Sequence, residues 1–96
     1  MANDIDFSVA DKRYANRPNR IEFIREQLLG MKRPDVVDVM RAVSERNVIS
    51  AETLRKIEKT GGGSPASISR ILEALNLELK KRGYVAVSHA VLMAPM

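Results

Sequence analysis

Apolar positions along the chain recur mainly at helical spacing. Ile68, Ile71, Leu72, Leu75 and Leu79 form the clearest stripe, and Ser64-Pro65 opens it. A serine hydroxyl accepts from the free amides of a first helical turn, and proline at the first position loses no hydrogen bond there. The pattern predicts a long helix from Pro65 to about Arg82, which Gly83 ends in a left-handed conformation. Ile21, Ile24 and Leu28, with Phe23 and Leu29, predict a helix from about Arg20 to Leu29, closed by Gly30. Val36, Val37, Met40 and Val43 mark another, which begins at Pro34 with Asp35 in its first turn and runs out near Arg46-Asn47. Ser50 caps a short helix with Leu54 and Ile57 inward, and Ile49 is placed to staple onto Leu54.

The two ends of the chain read differently. Residues 1–19 have no clear period and contain Pro18, so they read as an N-terminal arm or irregular leader. Ile5, Phe7 and Val9 also alternate with Asp6 and Ser8 as in a short strand. After Gly83, the run Tyr84-Val85-Ala86-Val87 has strand character. Ala90-Val91-Leu92-Met93 is expected to return as a second strand across Ser88-His89. The expected fold is therefore mainly α with a small C-terminal β-hairpin, in a single domain over residues 20–96.

Composition narrows the chemistry. Ninety-six residues make one domain, with room for one modest core. The chain is 45% hydrophobic but only 4% aromatic. That implies a core of Leu, Ile, Val and Met and argues against single-strand platforms that stack bases on several rings. With no cysteine and His89 as the single histidine, thiolate or histidine metal clusters and Cys–His or Ser–His–Asp catalysis lack their parts. No metal, no cofactor and no enzymatic activity are expected. Asp35 and Asp38, one turn apart, read as a solvated pair, and His89 reads as a hairpin-turn residue. No apolar run approaches membrane-spanning length, and Met1 to Asp11 is acidic and polar, unlike a signal peptide. A cytoplasmic protein with no membrane partner is expected.

Charge adds a direction. The net charge is +4, and it is concentrated. Lys12 to Arg33 holds seven lysines and arginines against two glutamates, and Arg55 to Arg82 holds seven against three. Between them, Pro34 to Leu54 is net acidic. The second basic block contains the Ser64-capped helix, whose N-terminal outer face carries Ser67, Ser69 and Arg70. A small, hydroxylic and cationic helix face suits close approach to the major groove of DNA.

The order of elements resembles the winged helix-turn-helix DNA-binding domains over residues 34–94. The likeness is carried by Val48-Ile49-Ser50-Ala51-Glu52-Thr53-Leu54, by Ser64 to Leu75, and by Leu79-Lys80-Lys81-Arg82-Gly83-Tyr84-Val85-Ala86-Val87. The first helix is an N-terminal addition to that pattern. The resemblance implies that the helix over 65–82 lies in the major groove, with Ser67, Ser69 and Arg70 at base edges. Phosphate contacts are expected from Ser64, Arg55, Lys59, Lys80, Lys81 and Arg82, and from Lys12, Arg13 and Arg17 in the leader. The turn Lys59 to Gly63 exceeds the usual three or four residues. It reads as an inserted flexible turn, or as bare amides near a DNA phosphate. It lacks the lysine and hydroxyl of a nucleotide-binding loop.

The function expected is sequence-specific binding of double-stranded DNA, as a homodimeric transcription regulator or a phage or plasmid architectural factor such as an excisionase. The alternative is a protein-interaction module that docks on and inhibits a nucleic-acid-handling enzyme. Its adhesive edge would be the C-terminal strand with Val91, Leu92, Met93 and Met96.

Overall fold

The computed structural model describes residues 2–96 and builds them from helices. Helix α1 starts as a regular α-turn, Ile21–Phe23, and runs on without a break as a π-helical stretch, Ile24–Leu28. Helices α2 (Arg33–Val43), α3 (Ala51–Thr60) and α4 (Pro65–Lys81) follow, and a single turn, α5 (His89–Leu92), lies near the C-terminus. α2 packs on both α3 and α4, and α5 packs on α4. The expected caps are present. Ser50 Oγ accepts from the Thr53 amide and Ser64 Oγ from the Ser67 amide, each at 3.1 Å. The Asp35 carboxylate accepts from the Lys32 amide at 2.9 Å, which satisfies an orphan donor at the start of α2.

α1 is the central element. Ile21, Glu22, Phe23, Ile24 and Arg25 are all buried. Five consecutive buried residues point to every side of a helix, so each side must be covered. The segment expected as an irregular leader supplies one cover. The Phe7 ring packs tilted on Phe23 at 5.6 Å between centroids, and Tyr14 meets Phe23 edge-on at 5.8 Å. Tyr14 is 0% exposed and its hydroxyl donates to Glu26 at 3.0 Å. The short strand expected at Ile5 to Val9 is instead one of two 3-10 turns, Phe7–Val9 and Lys12–Tyr14. Asp6 and Asp11 accept from the Ser8 and Arg13 amides at 2.9 and 3.0 Å. Short acidic side chains offer the backbone this local alternative to an extended ladder.

The opposite side of α1 is covered by α3 through charge. Glu58 is 1% exposed. Arg25 grips it in a fork, Nε to Oε2 at 2.8 Å and Nη2 to Oε1 at 3.2 Å. Arg33 donates to the same carboxylate from Nε at 3.1 Å and Nη2 at 2.9 Å. Arg25 Nη1 also caps the Met31 carbonyl at 2.9 Å. Three elements (α1, the start of α2, and α3) therefore meet on one buried anion.

The C-terminal β-hairpin, and with it the wing of a winged helix-turn-helix, is not formed. Among the described residues there is no strand, only an isolated parallel bridge between Asn3 and Tyr84. Two local interactions explain the difference. The extended run after Gly83 finds its partners elsewhere: Asn3 donates to the Gly83 carbonyl and accepts from the Val85 amide, both at 2.8 Å. The Asn76 side chain on α4 accepts from the Val87 amide at 2.8 Å and donates to the Val87 carbonyl at 2.9 Å. Ser88 then caps a helix by accepting from the Val91 amide at 3.1 Å, so Ser-His-Ala-Val opens α5 and makes no turn. His89 is the first residue of that helix. Of the residues expected to form an adhesive strand edge, Leu92 is 0% exposed, while Val91, Met93 and Met96 are half-buried.

Glu58→Ala strands the buried Arg25 guanidinium and the half-buried one of Arg33, and should cost about 3–5 kcal/mol by urea denaturation. Tyr14→Ala should cost about 3–5 kcal/mol, as for other large aromatic truncations. Burial, followed by the bond to Glu26, holds the Tyr14 hydroxyl above its ordinary pKa. The neutral form is thus favoured by folding. Its contribution is complete below about pH 10 and lost as pH rises through the raised value. Tyr14→Phe should be less stable than the natural chain at neutral pH by about 1 kcal/mol. The gap should narrow in denaturation curves taken above pH 10.

Candidate nucleic-acid interface

α3, the glycine turn and α4 form the corner on which the sequence places its DNA contacts. The turn is crowded at two of its three glycines. Gly61 has φ +80° and ends α3, its amide donating to the Ile57 carbonyl at 3.0 Å. A Cβ there would lie 2.8 Å from Pro18 Cβ, and one on Gly63 would lie 2.8 Å from the Ile57 side chain. Gly62 has open space. Two of the three glycines are therefore required by contact, and they fix the angle at which α4 leaves α3.

Beyond the turn, α4 presents its first residues to solvent. Ser64, Pro65, Ala66 and Ser69 are exposed and Ser67 is half-buried. The Ser64 and Ser67 hydroxyls bond each other at 2.9 Å. The rim is cationic. Arg55 is exposed and pairs with Glu52 at 2.6 Å, and that guanidinium holds the Glu52 carboxyl below its ordinary range. Lys59 and Arg17 share one Glu22 oxygen, each at 3.4 Å. The leader thus places Arg17 beside α3, and Pro18 beside the turn. Lys56, which the sequence reading passed over, is exposed and forms no ion pair among the described residues. Its place between Arg55 and Lys59 in a basic run was the available signal.

Arg70 is elsewhere. Its side chain is 11% exposed. Nη2 donates to the Met40 and Ser44 carbonyls at 2.7 and 2.6 Å, and Nη1 to Glu73 at 3.1 Å. It adds a second donor to the Met40 carbonyl, which already accepts from the Ser44 amide at 3.1 Å, and satisfies the Ser44 carbonyl just past the end of α2. The expected base-reading arginine is thus a clamp between α4 and α2. Its position, three residues past Ser67 and on the flank of the apolar stripe, makes either orientation compatible with the sequence.

The remaining expected phosphate ligands do not join this corner. Lys80, Lys81 and Arg82 stand at the far end of α4, roughly 25 Å from Ser64 at the helical rise. Lys81 pairs with Glu78 at 3.0 Å, and Arg82 donates to Glu78 at 3.2 Å and to the Leu29 carbonyl at 3.1 Å. Lys81 and then Arg82 hold the Glu78 carboxyl below its usual range against the opposing effect of burial. Lys12 and Arg13 are exposed in the leader, with the Arg13 guanidinium 4.8 Å from the Tyr14 ring centroid. Among the described residues no group of three or more His, Asp or Glu side chains is arranged to hold a metal ion. No helix among them is long and apolar enough to cross a membrane. No protein-family model, curated protein or solved structure matches the chain, so its own geometry carries the functional argument.

Gly61→Ala should destabilise by about 1–3 kcal/mol, since it combines a left-handed backbone with a steric contact. Gly62→Ala should stay within about 0.5 kcal/mol. Thermal unfolding followed by circular dichroism distinguishes a packed turn, which separates the two variants, from a flexible one, which does not.

Proposed function

We propose that the protein binds double-stranded DNA through the corner of α3 and α4, with the first turn of α4 entering the major groove. One observation carries this reading. The first turn of α4 is left uncovered and bears only small side chains and hydroxyls. A rigid, non-bulky helix end allows the close approach that base edges require. In this role Ser67 and Ser69 meet bases, and Ser64 a phosphate. Arg55, Lys56 and Lys59 on α3 supply the main electrostatic attraction to the backbone, supported by Arg17. Arg70 acts indirectly, by fixing α4 against α2. Regulation of transcription, or an architectural role on DNA in the cytoplasm, is the biological setting this activity fits.

Fluorescence anisotropy with a mixed-sequence duplex tests the reading. Three or four phosphate contacts should make affinity fall roughly 50- to 150-fold between 50 and 200 mM salt. Lys56→Ala should lower the salt slope by about one across all sequences. Replacing Ser67 and Ser69 by alanine should leave the slope unchanged and flatten any sequence preference found by selection. Absence of binding even at low salt would overturn the proposal and favour a protein partner.

A further inference from the structure

α4 has a second uncovered face. Leu77 on this helix is 40% exposed, Val43 at the end of α2 is 42%, and Val85 beyond α4 is 41%. Together with Val9 they are the large apolar side chains that the described fold leaves in water. All but Val9 border a single groove of about 500 Å³, which Tyr84 and Ala86 also line. Val85 and Ala86 are shared with a neighbouring groove of about 410 Å³ reaching Phe7 and Val91. The apolar surface is therefore continuous, and it combines projecting side chains with space to receive them.

The charges beside it are arranged about Leu77. Glu73 lies four residues before it, Lys81 four after and Lys80 three after. All three are exposed, and Lys80 forms no ion pair among the described residues. We propose that this face is the interface between two copies of the chain, with their α4 helices antiparallel about a two-fold axis at Leu77. A two-fold interface must be complementary to itself, since the same patch serves both sides. Antiparallel pairing sets residues equally far before and after Leu77 against each other. Glu73 of each copy then lies beside Lys81 and Lys80 of the other, while Leu77 meets Leu77 and the valines fill the grooves. A parallel pairing would set Glu73 on Glu73 and lysine on lysine, which is repulsive. A standard interface takes about 800 Å² from each partner. That is about a seventh of the 5510 Å² surface of this chain.

This interface rests on its own observations but deepens the DNA reading. Pro65 is twelve residues from Leu77, so it stands roughly 18 Å from the axis along the helix. The two exposed first turns would be roughly 36 Å apart, close to one turn of B-form DNA, the spacing at which paired recognition helices meet successive major grooves. The preferred DNA site would then be a palindrome with half-sites one turn apart.

Sedimentation velocity without DNA, over a series of protein concentrations, tests the interface. The natural chain should sediment as a dimer that dissociates on dilution, and Leu77→Asp as a monomer with unchanged helical circular dichroism. Glu73→Lys should weaken dimerisation about tenfold by placing like charges across the axis. Adding Lys80→Glu should recover most of that loss. A purely internal effect of removing the Glu73–Arg70 pair would not be rescued in this way. A natural chain that stays monomeric at every concentration would overturn the proposal. So would a dimer indifferent to Leu77→Asp, or a double variant no tighter than Glu73→Lys. Because no DNA is present, a monomer that binds DNA fails this inference alone, and a dimer that does not bind DNA fails only the functional one.

Discussion

The buried carboxylate of Glu58 is the constraint on which the rest of the arrangement depends. An anion removed from water is tolerated only when opposite charge and hydrogen bonds replace its hydration. Here two guanidiniums do so at once, from Arg25 on α1 and Arg33 at the first residue of α2. Because both must reach one point, α1, the entry to α2, and α3 have little freedom to shift. The direction of α3 then sets that of the glycine turn, where contacts with Pro18 and Ile57 leave no space for a side chain. The exposed first turn of α4 is thus held by a chain of contacts that begins at a buried charge on α3.

The same principle divides the basic residues. Much of the arginine is spent internally: Arg25 and Arg33 on Glu58, Arg70 on the end of α2, and Arg82 on Leu29 and Glu78. A planar guanidinium with five donors suits such multiple, fixed partners, whereas a lysine is a strongly hydrated point charge. Exposed lysines (Lys56, Lys59 and Lys80 among them) carry more of the outward charge than the sequence total implies. A basic run in sequence therefore overstates the cationic surface.

Helices α2, α3 and α4 were legible because each carries both a period and a cap. Ser50, Ser64 and Pro65 act locally, within a turn of their own position. Gly83, with φ +83° after α4, follows equally local rules. The leader was not legible, since what orders it is the packing of Phe7 and Tyr14 on Phe23, a long-range contact with no periodic signature. The tail failed for a related reason. Tyr84 to Val87 is extended as its residues favour, but its partners are the backbone of Asn3 and the side chain of Asn76. Nothing within the segment announces them. Glu58 could have been noticed, since it falls four residues after Leu54 on the inward face of α3, as Arg25 falls four after Ile21 on α1. Neither position belongs to the apolar stripe from which its helix is read, so the pair goes unmarked.

The widened turn of α1 bears on how the chain tolerates changes in length. Between Ile24 and Leu28 the backbone bonds reach one residue further than in an α-helix, as in the Leu29 amide to the Ile24 carbonyl at 3.0 Å. Such a turn holds one more residue than a regular helix would need there. Losing a residue here would let the backbone close into an ordinary α-helix with no broken hydrogen bond. Five residues in the wider turn cover nearly the same angle and rise as four in an α-helix, so Leu29 would stay in the core and the Met31 carbonyl on Arg25. In this stretch the chain has slack in its length: losing one residue here would do less damage than losing one from a regular turn of α2, α3 or α4.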